Sequence, residues 1–452
     1  MQIYLLTDFG STYTKVMAVD VAGGQIAAFA KAFTTIEDDV TIGYENALAQ
    51  IRLKLGDFVP AVSLACSSAA GGLKMVSSGL VPDLTAKASR LAATSAGAKV
   101  MKTYSYELTE FEMEEIEMIN PDIILLSGGI DGGNKKVVLQ NAQTLAQING
   151  DFQVIMAGNR SAAGDVRAVL EAAGKRVVVC ENVMPTFGKL NIRPAKAAIR
   201  DLFIENIISA KGLDKVAARM DMEIIPTPLA VFEACELLAR ELGSLMAYDL
   251  GGATSDVYSM ADGTPKSANA FITGINEPFS KRTVEGDVGM RYSQSALYDL
   301  IVEDEPSFAC ELTAQWMEIC AGDPSVMPLG EYAKYAEVDA HFAGRAISIS
   351  AKRHCGLVER VFTPNGEMLS QEGKDLTQVA YVIGSGGAVI NAPDPRAILQ
   401  NAVYAPQDLN SLKPLEPKIL LDKQNALAAM GLLSRRHPDI ALKIMKSTFV
   451  EV

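Results

Sequence analysis

The sequence predicts a two-domain α/β protein built on an internal duplication, and three observations carry that expectation. At 452 residues the chain exceeds what one hydrophobic core supports, so two domains of about 200 residues each are the default. Strand-like apolar runs alternate with helical stretches along the whole length, which is the pattern of βαβ layering. One short pattern occurs twice, as Asp8-Phe9-Gly10-Ser11-Thr12-Tyr13-Thr14-Lys15-Val16 and as Asp249-Leu250-Gly251-Gly252-Ala253-Thr254-Ser255-Asp256-Val257, offset by 241 residues (249 minus 8).

Each copy follows an apolar run (3–6; 245–248) and leads into another (16–19; 257–258), which reads as strand, tight glycine turn, strand. Such a turn lays several backbone N–H groups and small hydroxyls against a phosphate, with a carboxylate nearby for a cation. Two copies form two jaws for one polyphosphate. Gly10, Ser11, Thr12, Gly251, Gly252, Ala253 and Thr254 are the expected phosphate lining, and Lys15 is a candidate to neutralise phosphate charge. Asp8 and Asp249, at facing strand ends, are the candidate catalytic carboxylates and the candidate Mg²⁺ holders, since Mg²⁺ takes one or two protein carboxylates and keeps much of its water.

Between the copies, a polar stretch at 34–44 precedes a helix at 45–55, and a strand at 61–66 ends in small residues. A small-residue helix at 80–98 and an acidic one at 109–119 follow, then a strand at 123–126 ending in Ser127-Gly128-Gly129. Further βα units are expected at 154–156 with 161–173 and at 177–180, and the helix 229–242 delivers the chain to the second turn. In the second half a strand at 382–383 ends in Gly384-Ser385-Gly386-Gly387, which echoes Ser127-Gly128-Gly129, and a last small-residue helix spans 426–433. Glycine backbone at Gly384–Gly387 suits close approach of an adenine or ribose, so these four residues join the nucleotide-binding set. The two small-residue helices permit the close approach that a hinge between lobes requires. The expected domains are 1–225 and 226–425, with 426–452 returning to the first.

A net charge of −13 argues against nucleic acid and anionic membrane surfaces as partners. No stretch is long and apolar enough to span a bilayer, and the start runs straight into the first turn without a basic leader. Six scattered cysteines without a CxxC pair suit reduced thiols, so a cytoplasmic protein is expected, with a second copy of the chain as a candidate partner. His354-Cys355 is an unpromising metal pair, because adjacent residues do not easily face one ion.

The ordered set resembles the superfamily of actin, heat-shock chaperone and sugar-kinase ATPases. The matching segments are phosphate-1 (8–15), connect-1 (228–239), phosphate-2 (249–256), adenosine (382–388) and connect-2 (426–433). The first turn is similar to the chaperone version D-L-G-T-T-Y-S, with Phe9 and Ser11 in place of Leu and Thr. The resemblance implies duplicated actin-like, ribonuclease H-like ATPase domains with an interlobe nucleotide cleft, binding ATP and Mg²⁺. Within the superfamily, the first turn together with Cys66-Ser67-Ser68-Ala69-Ala70-Gly71-Gly72-Leu73, the segment from Leu125 to Asn134 and Val284-Glu285-Gly286-Asp287-Val288-Gly289-Met290-Arg291 resembles the accessory proteins of glutamate mutase, the MutL or GlmL type. These are unrelated to the mismatch-repair protein of similar name. The resemblance implies an ATP-dependent reactivating factor whose partner is an adenosylcobalamin-dependent mutase or aminomutase. The chain lacks a D-x-H-x-x-G pattern and is not expected to carry cobalamin itself. The alternatives are a small-metabolite kinase of the same fold, an iron–sulphur activator ATPase of the acyl-CoA dehydratase type, and a cytoskeletal or scaffold protein. The Glu285–Asp287 loop is left open between the cleft and a partner.

Overall fold

The computed structural model describes residues 2–35, 39–68, 74–207, 212–364 and 366–452. They divide into two units: Met1–Ala69, Ala210–Ile272 and Glu277–Val452 form the first, and Ala70–Ser209 with Thr273–Asn276 the second.

The first unit begins with β1 (Ile3–Phe9), β2 (Tyr13–Asp20), β3 (Gln25–Phe33) and β4 (Val62–Ser67). β1 is buried along its whole length, as its unbroken apolar run requires, and β2 returns antiparallel to it across the first glycine turn. The second unit supplies β5 (Lys74–Gly79), β6 (Lys99–Ser105), β7 (Ile123–Leu126), β8 (Gln153–Met156) and β9 (Val177–Val179). Back in the first unit come β10 (Ile225–Pro226), β11 (Leu245–Leu250), β12 (Ser255–Met260), β13 (Ala270–Thr273) and β14 (Ser280–Glu285), with Thr273 at the unit boundary. β15 (Leu357–Thr363), β16 (Gly366–Glu372), β17 (Tyr381–Ser385), β18 (Lys418–Asp422) and β19 (Phe449–Glu451) complete the set.

The duplication is explicit in strand order. The first sheet runs β10-β4-β1-β2-β3 and the second β14-β12-β11-β17-β18-β19. Numbered within each half, both read 3-2-1-4-5, the ribonuclease H-like arrangement, and β19 adds a sixth strand to the second. The chain is therefore a duplicated actin-like α/β protein. β13, β16 and β15 form a separate three-stranded sheet.

Strand order corrects one internal match. The partner of β1 corresponding to β17 is β4, because Asp8 stands opposite Cys66 and Asp249 opposite Ser385 in parallel pairs. The Ser127-Gly128-Gly129 loop follows β7, which lies in the second unit's sheet, and so is not the counterpart of Gly384–Gly387. The two echo each other only because both are glycine-rich turns after a parallel strand. Of the Cys66–Leu73 motif, Ala69, Ala70, Gly71, Gly72 and Leu73 lie outside the described residues.

The second unit is an all-parallel sheet of order β6-β5-β7-β8-β9. Its four-residue β7 is fully buried, as expected of a strand covered on both faces. The sequence reading placed helix at 80–98; the structure has a π-helical turn Pro82–Ala86, a helix Lys87–Ser95 and then β6. The helix expected at 45–55 starts earlier, at Val40, because the Asp39 side chain accepts Thr41 N–H and caps it.

One hydrophobic cluster spans both small-residue helices, Thr227–Leu242 and Leu427–Ser434, together with Leu6, Met17, Leu64, Tyr258 and Ile383 from the strands they cover. Each helix follows the fifth strand of its half. Among the described residues no helix is long and apolar enough to cross a membrane.

Candidate functional site

Both glycine turns close in the same way. Gly10 N–H donates to Tyr13 O at 3.1 Å, and Gly251 N–H donates to Thr254 O at 2.9 Å, each the equivalent bond at the 241-residue offset. The register agrees: Asp8 pairs with Lys15 and Asp249 with Asp256. Gly10, Ser11, Thr12 and Gly251–Thr254 are all partly exposed, so the two turns present accessible amides and hydroxyls. The amides of Ser11, Thr12, Gly252 and Ala253 donate to no acceptor among the described residues. The turns also meet: a Cβ on Gly252 would lie 3.6 Å from Thr12 Oγ1. The structure thus brings together the two motifs that the sequence separates.

The two aspartates differ. Asp8 is buried and held on both oxygens: Thr227 Oγ1 donates to Oδ1 at 2.7 Å, the Cys66 thiol lies 3.6 Å from the same atom, and Lys15 Nζ is 3.2 Å from Oδ2. The carboxylate of Asp249, half-buried, accepts no hydrogen bond among the described residues. Burial pushes its carboxyl up to about 6, against the pull of Lys15 and with added push from Asp256, Asp8 and Asp422. Burial works to lower Lys15, yet Asp8 and Asp249 outweigh it and hold the ammonium above its ordinary value. Burial and then Asp8 push the Cys66 thiol well up, so Cys66 serves as a neutral donor and not as a nucleophile. Asp256, the positional equal of Lys15, is engaged by Arg282 through Nε at 2.8 Å and Nη2 at 2.5 Å, and receives Thr254 Oγ1 at 3.2 Å.

The adenosine-type segment divides. Gly384 faces the core, where a Cβ would lie 2.5 Å from Leu399 Cδ1. Ser385 is buried and its hydroxyl donates to Asp422 Oδ2 at 3.1 Å. Gly386 adopts φ +91°, with a Cβ position only 2.2 Å from Leu250 O, so only glycine fits there. Of these four residues Gly387 alone is exposed.

Sequence reasoning missed Thr227, Cys66 as a donor to Asp8, and Asp422. Asp422 ends β18 and accepts Ala426 N–H at 2.9 Å and Leu427 N–H at 3.1 Å, capping the Leu427–Ser434 helix. Its carboxyl is raised by burial despite these bonds. The available signal was local: Thr227 precedes an apolar helical run, and Asp422-Lys423-Gln424-Asn425 has the polar character of a helix start.

His354 is buried, with Nδ1 2.8 Å from Thr283 Oγ1 and Nε2 2.8 Å from Ser259 Oγ. Among the described residues no group of three or more His, Cys, Asp or Glu is arranged to hold a metal. The Asp249 carboxylate, which accepts no hydrogen bond among the described residues, is chemically compatible with a cation that keeps most of its water, whereas both oxygens of Asp8 are already engaged.

Similar solved structures include acetone carboxylase in its nucleotide-free form (12% identity, TM-score 0.41, covering 96% of this chain and 70% of that one). Glycerol dehydratase reactivase is another (10% identity, TM-score 0.35, covering 96% and 99%). In sequence, Protein MutL of Clostridium tetanomorphum is 42% identical, covering 100% of both chains. The MutL protein family model matches residues 4–449, and the chain belongs to that family.

Proposed function

We propose that this protein is an ATP-driven reactivating factor for an adenosylcobalamin-dependent mutase, glutamate mutase or a related aminomutase. The nucleotide half of the reading is carried by one observation: two glycine turns closed by the same hydrogen bond meet at Gly252 and Thr12, with Lys15 on Asp8 and within electrostatic reach of Asp249. The partner follows from the resemblance to glutamate mutase accessory proteins.

In this reading the free amides of both turns and the hydroxyls of Ser11, Thr12 and Thr254 bind the phosphates, and Lys15 balances their charge. Gly386 and Gly387 border the nucleoside. Asp8, fixed by Thr227 and Cys66, keeps its position through the cycle. Asp249, whose carboxylate accepts no hydrogen bond among the described residues, orients the attacking water and is the group able to take its proton. Mg²⁺, when bound at Asp8 and Asp249, supplies charge neutralisation on the phosphoryl group. Residues 1–225 and 226–425 act as the lobes, with 426–452 returning to the first, and the paired small-residue helices act as hinge. ATP favours closure only through tighter binding to the closed form. Closure then opens the mutase so that damaged cobalamin leaves.

The test is recovery of mutase activity. Glutamate mutase blocked with an inactive cobalamin is mixed with this protein, Mg-ATP and free adenosylcobalamin. Recovery that requires ATP and is lost in Asp249→Ala is the expected result. No recovery with glutamate mutase or with aminomutases, while ATP still binds, contradicts the assigned role.

A further inference from the structure

The loop after β14, left open by the sequence between cleft and partner, has a definite place against the second glycine turn. Met290 N–H donates to Gly251 O at 3.1 Å, and Arg291 and Tyr292 N–H donate to Gly252 O at 2.8 and 2.9 Å. Ser293 Oγ stands 2.7 Å from Ala253 O and 2.8 Å from Gly286 O. The carbonyls of three successive residues in the turn are therefore engaged by one loop. In a planar trans peptide the C=O and the following N–H point in opposite directions. Engaging the carbonyls of Gly251, Gly252 and Ala253 consequently turns the amides of Gly252, Ala253 and Thr254 away from the loop, and these amides donate to no acceptor among the described residues.

The loop is itself anchored at both ends to one helix, Ala336–His354. Arg353 donates to Glu285 at 2.9 Å and to Asp287 at 2.7 and 2.9 Å. Arg291 donates to Asp339 at 2.9 Å, to Met290 O at 2.7 Å and to Val326 O at 3.1 Å, and Asp339 also accepts Trp316 Nε1–H at 2.9 Å. At the centre, Gly289 lies directly on the turn: a Cβ there would stand 2.4 Å from Ala253 C and 2.6 Å from its O. Gly289 is not among the glycines of positive φ, so its requirement for glycine is contact with the turn and not backbone conformation.

We infer that residues 286–293 form a positioning loop for the second phosphate turn, which holds the turn's carbonyls so that its amides face a phosphate. Gly289, Arg291 and Ser293 are its positioning residues, and Arg353 moors it. This inference rests on the nucleotide reading above and adds a prediction that reading does not make: damage to the loop separates phosphate recognition from nucleoside recognition.

The experiment measures equilibrium binding of ATP and of adenosine to the full chain and to Gly289→Ala and Ser293→Ala. In Gly289→Ala the affinity for ATP should fall by about tenfold or more, the effect of displacing one or two charge-assisted hydrogen bonds, while adenosine affinity stays within about twofold. Ser293→Ala, which adds no bulk, should show the same split with a smaller loss. Equal losses for the two ligands would reduce the loop to general structural support and overturn the inference. Unchanged ATP binding in both variants would overturn it as well, with the nucleotide reading intact. Absence of ATP binding by the unsubstituted protein would overturn that reading, and the loop's role with it.

Discussion

Asp249→Asn is expected to make the nucleotide-free protein more stable while weakening Mg²⁺-dependent ATP binding at least ~tenfold. The carboxyl of Asp249 ordinarily titrates at 3.8 and is pushed to about 6 in the fold, chiefly by burial. The folded chain thus holds this proton more tightly than the unfolded chain. Below the unfolded value both states are protonated and the penalty is absent; it grows as pH rises from about 4 to 6 and is fully present above that. A shift of this size corresponds to at most about 3 kcal/mol, and relaxation around the partly exposed group reduces it. Asparagine removes the penalty, so the variant should melt a few degrees above the wild type at pH 7 without nucleotide, and the difference should vanish near pH 4. Mg-ATP should then reverse the order, because a ligand that binds the folded wild type more tightly than the variant stabilises it more by mass action. Thermal melts of both proteins at several pH values, with and without Mg-ATP, check each part. A wild type more stable than Asp249→Asn at pH 7 in the absence of nucleotide would show that Asp249 carries no burial penalty.

Gly431→Ala is expected to be among the most damaging single-methyl changes in the chain. A Cβ on Gly431 would lie 1.8 Å from Ala230 O, 2.5 Å from its C and 3.0 Å from its Cα. All three are backbone atoms of the Thr227–Leu242 helix, so no side-chain rotation relieves the clash and the two helices must part. Alanine gains about 1 kcal/mol in helix propensity over glycine. Overpacking typically costs ~1–3 kcal/mol and more where backbone obstructs, so the net effect is expected to be about 2 kcal/mol or more of destabilisation. The damage should reach the site, because the first residue of one helix is Thr227, which holds Asp8, and the leading amides of the other helix are held by Asp422. Urea unfolding is the measurement. Gly322→Ala is the control, since a Cβ there meets nothing within 4 Å. Adding Ala230→Gly should not rescue Gly431→Ala, because the obstructing atoms are backbone. A Gly431→Ala protein as stable as wild type would contradict the close crossing.

The turns were legible because their chemistry is local: an apolar strand, Asp-x-Gly and a hydroxyl residue suffice to specify a hairpin whose Gly10 N–H reaches Tyr13 O. Their repetition made the duplication legible too. Two strands were harder. β5 reads Lys-Met-Val-Ser-Ser-Gly and β3 is rich in alanine, so neither has the branched apolar run that marks β1 or β7. The contacts that fix Asp8 were not legible at all, because Thr227 reaches it across 219 residues and Cys66 across 58. Gly384 and Gly431 look alike as glycines in small-residue segments, yet one accommodates the Leu399 side chain and the other a neighbouring helix's backbone. Sequence identifies a glycine; the atom that excludes a Cβ comes only from the fold.

The central claim is that Asp8 and Asp249, brought in by two copies of one turn, serve a single Mg-ATP site. Calorimetric titration of ATP with and without Mg²⁺, into the wild type and into Asp8→Asn and Asp249→Asn, tests it most directly. One site per chain is predicted, dependent on Mg²⁺ and lost or weakened at least ~tenfold in both variants, as removal of a charged ligand-binding group implies. Mg-ATP binding that survives unchanged in either variant would contradict a site shared by the two turns.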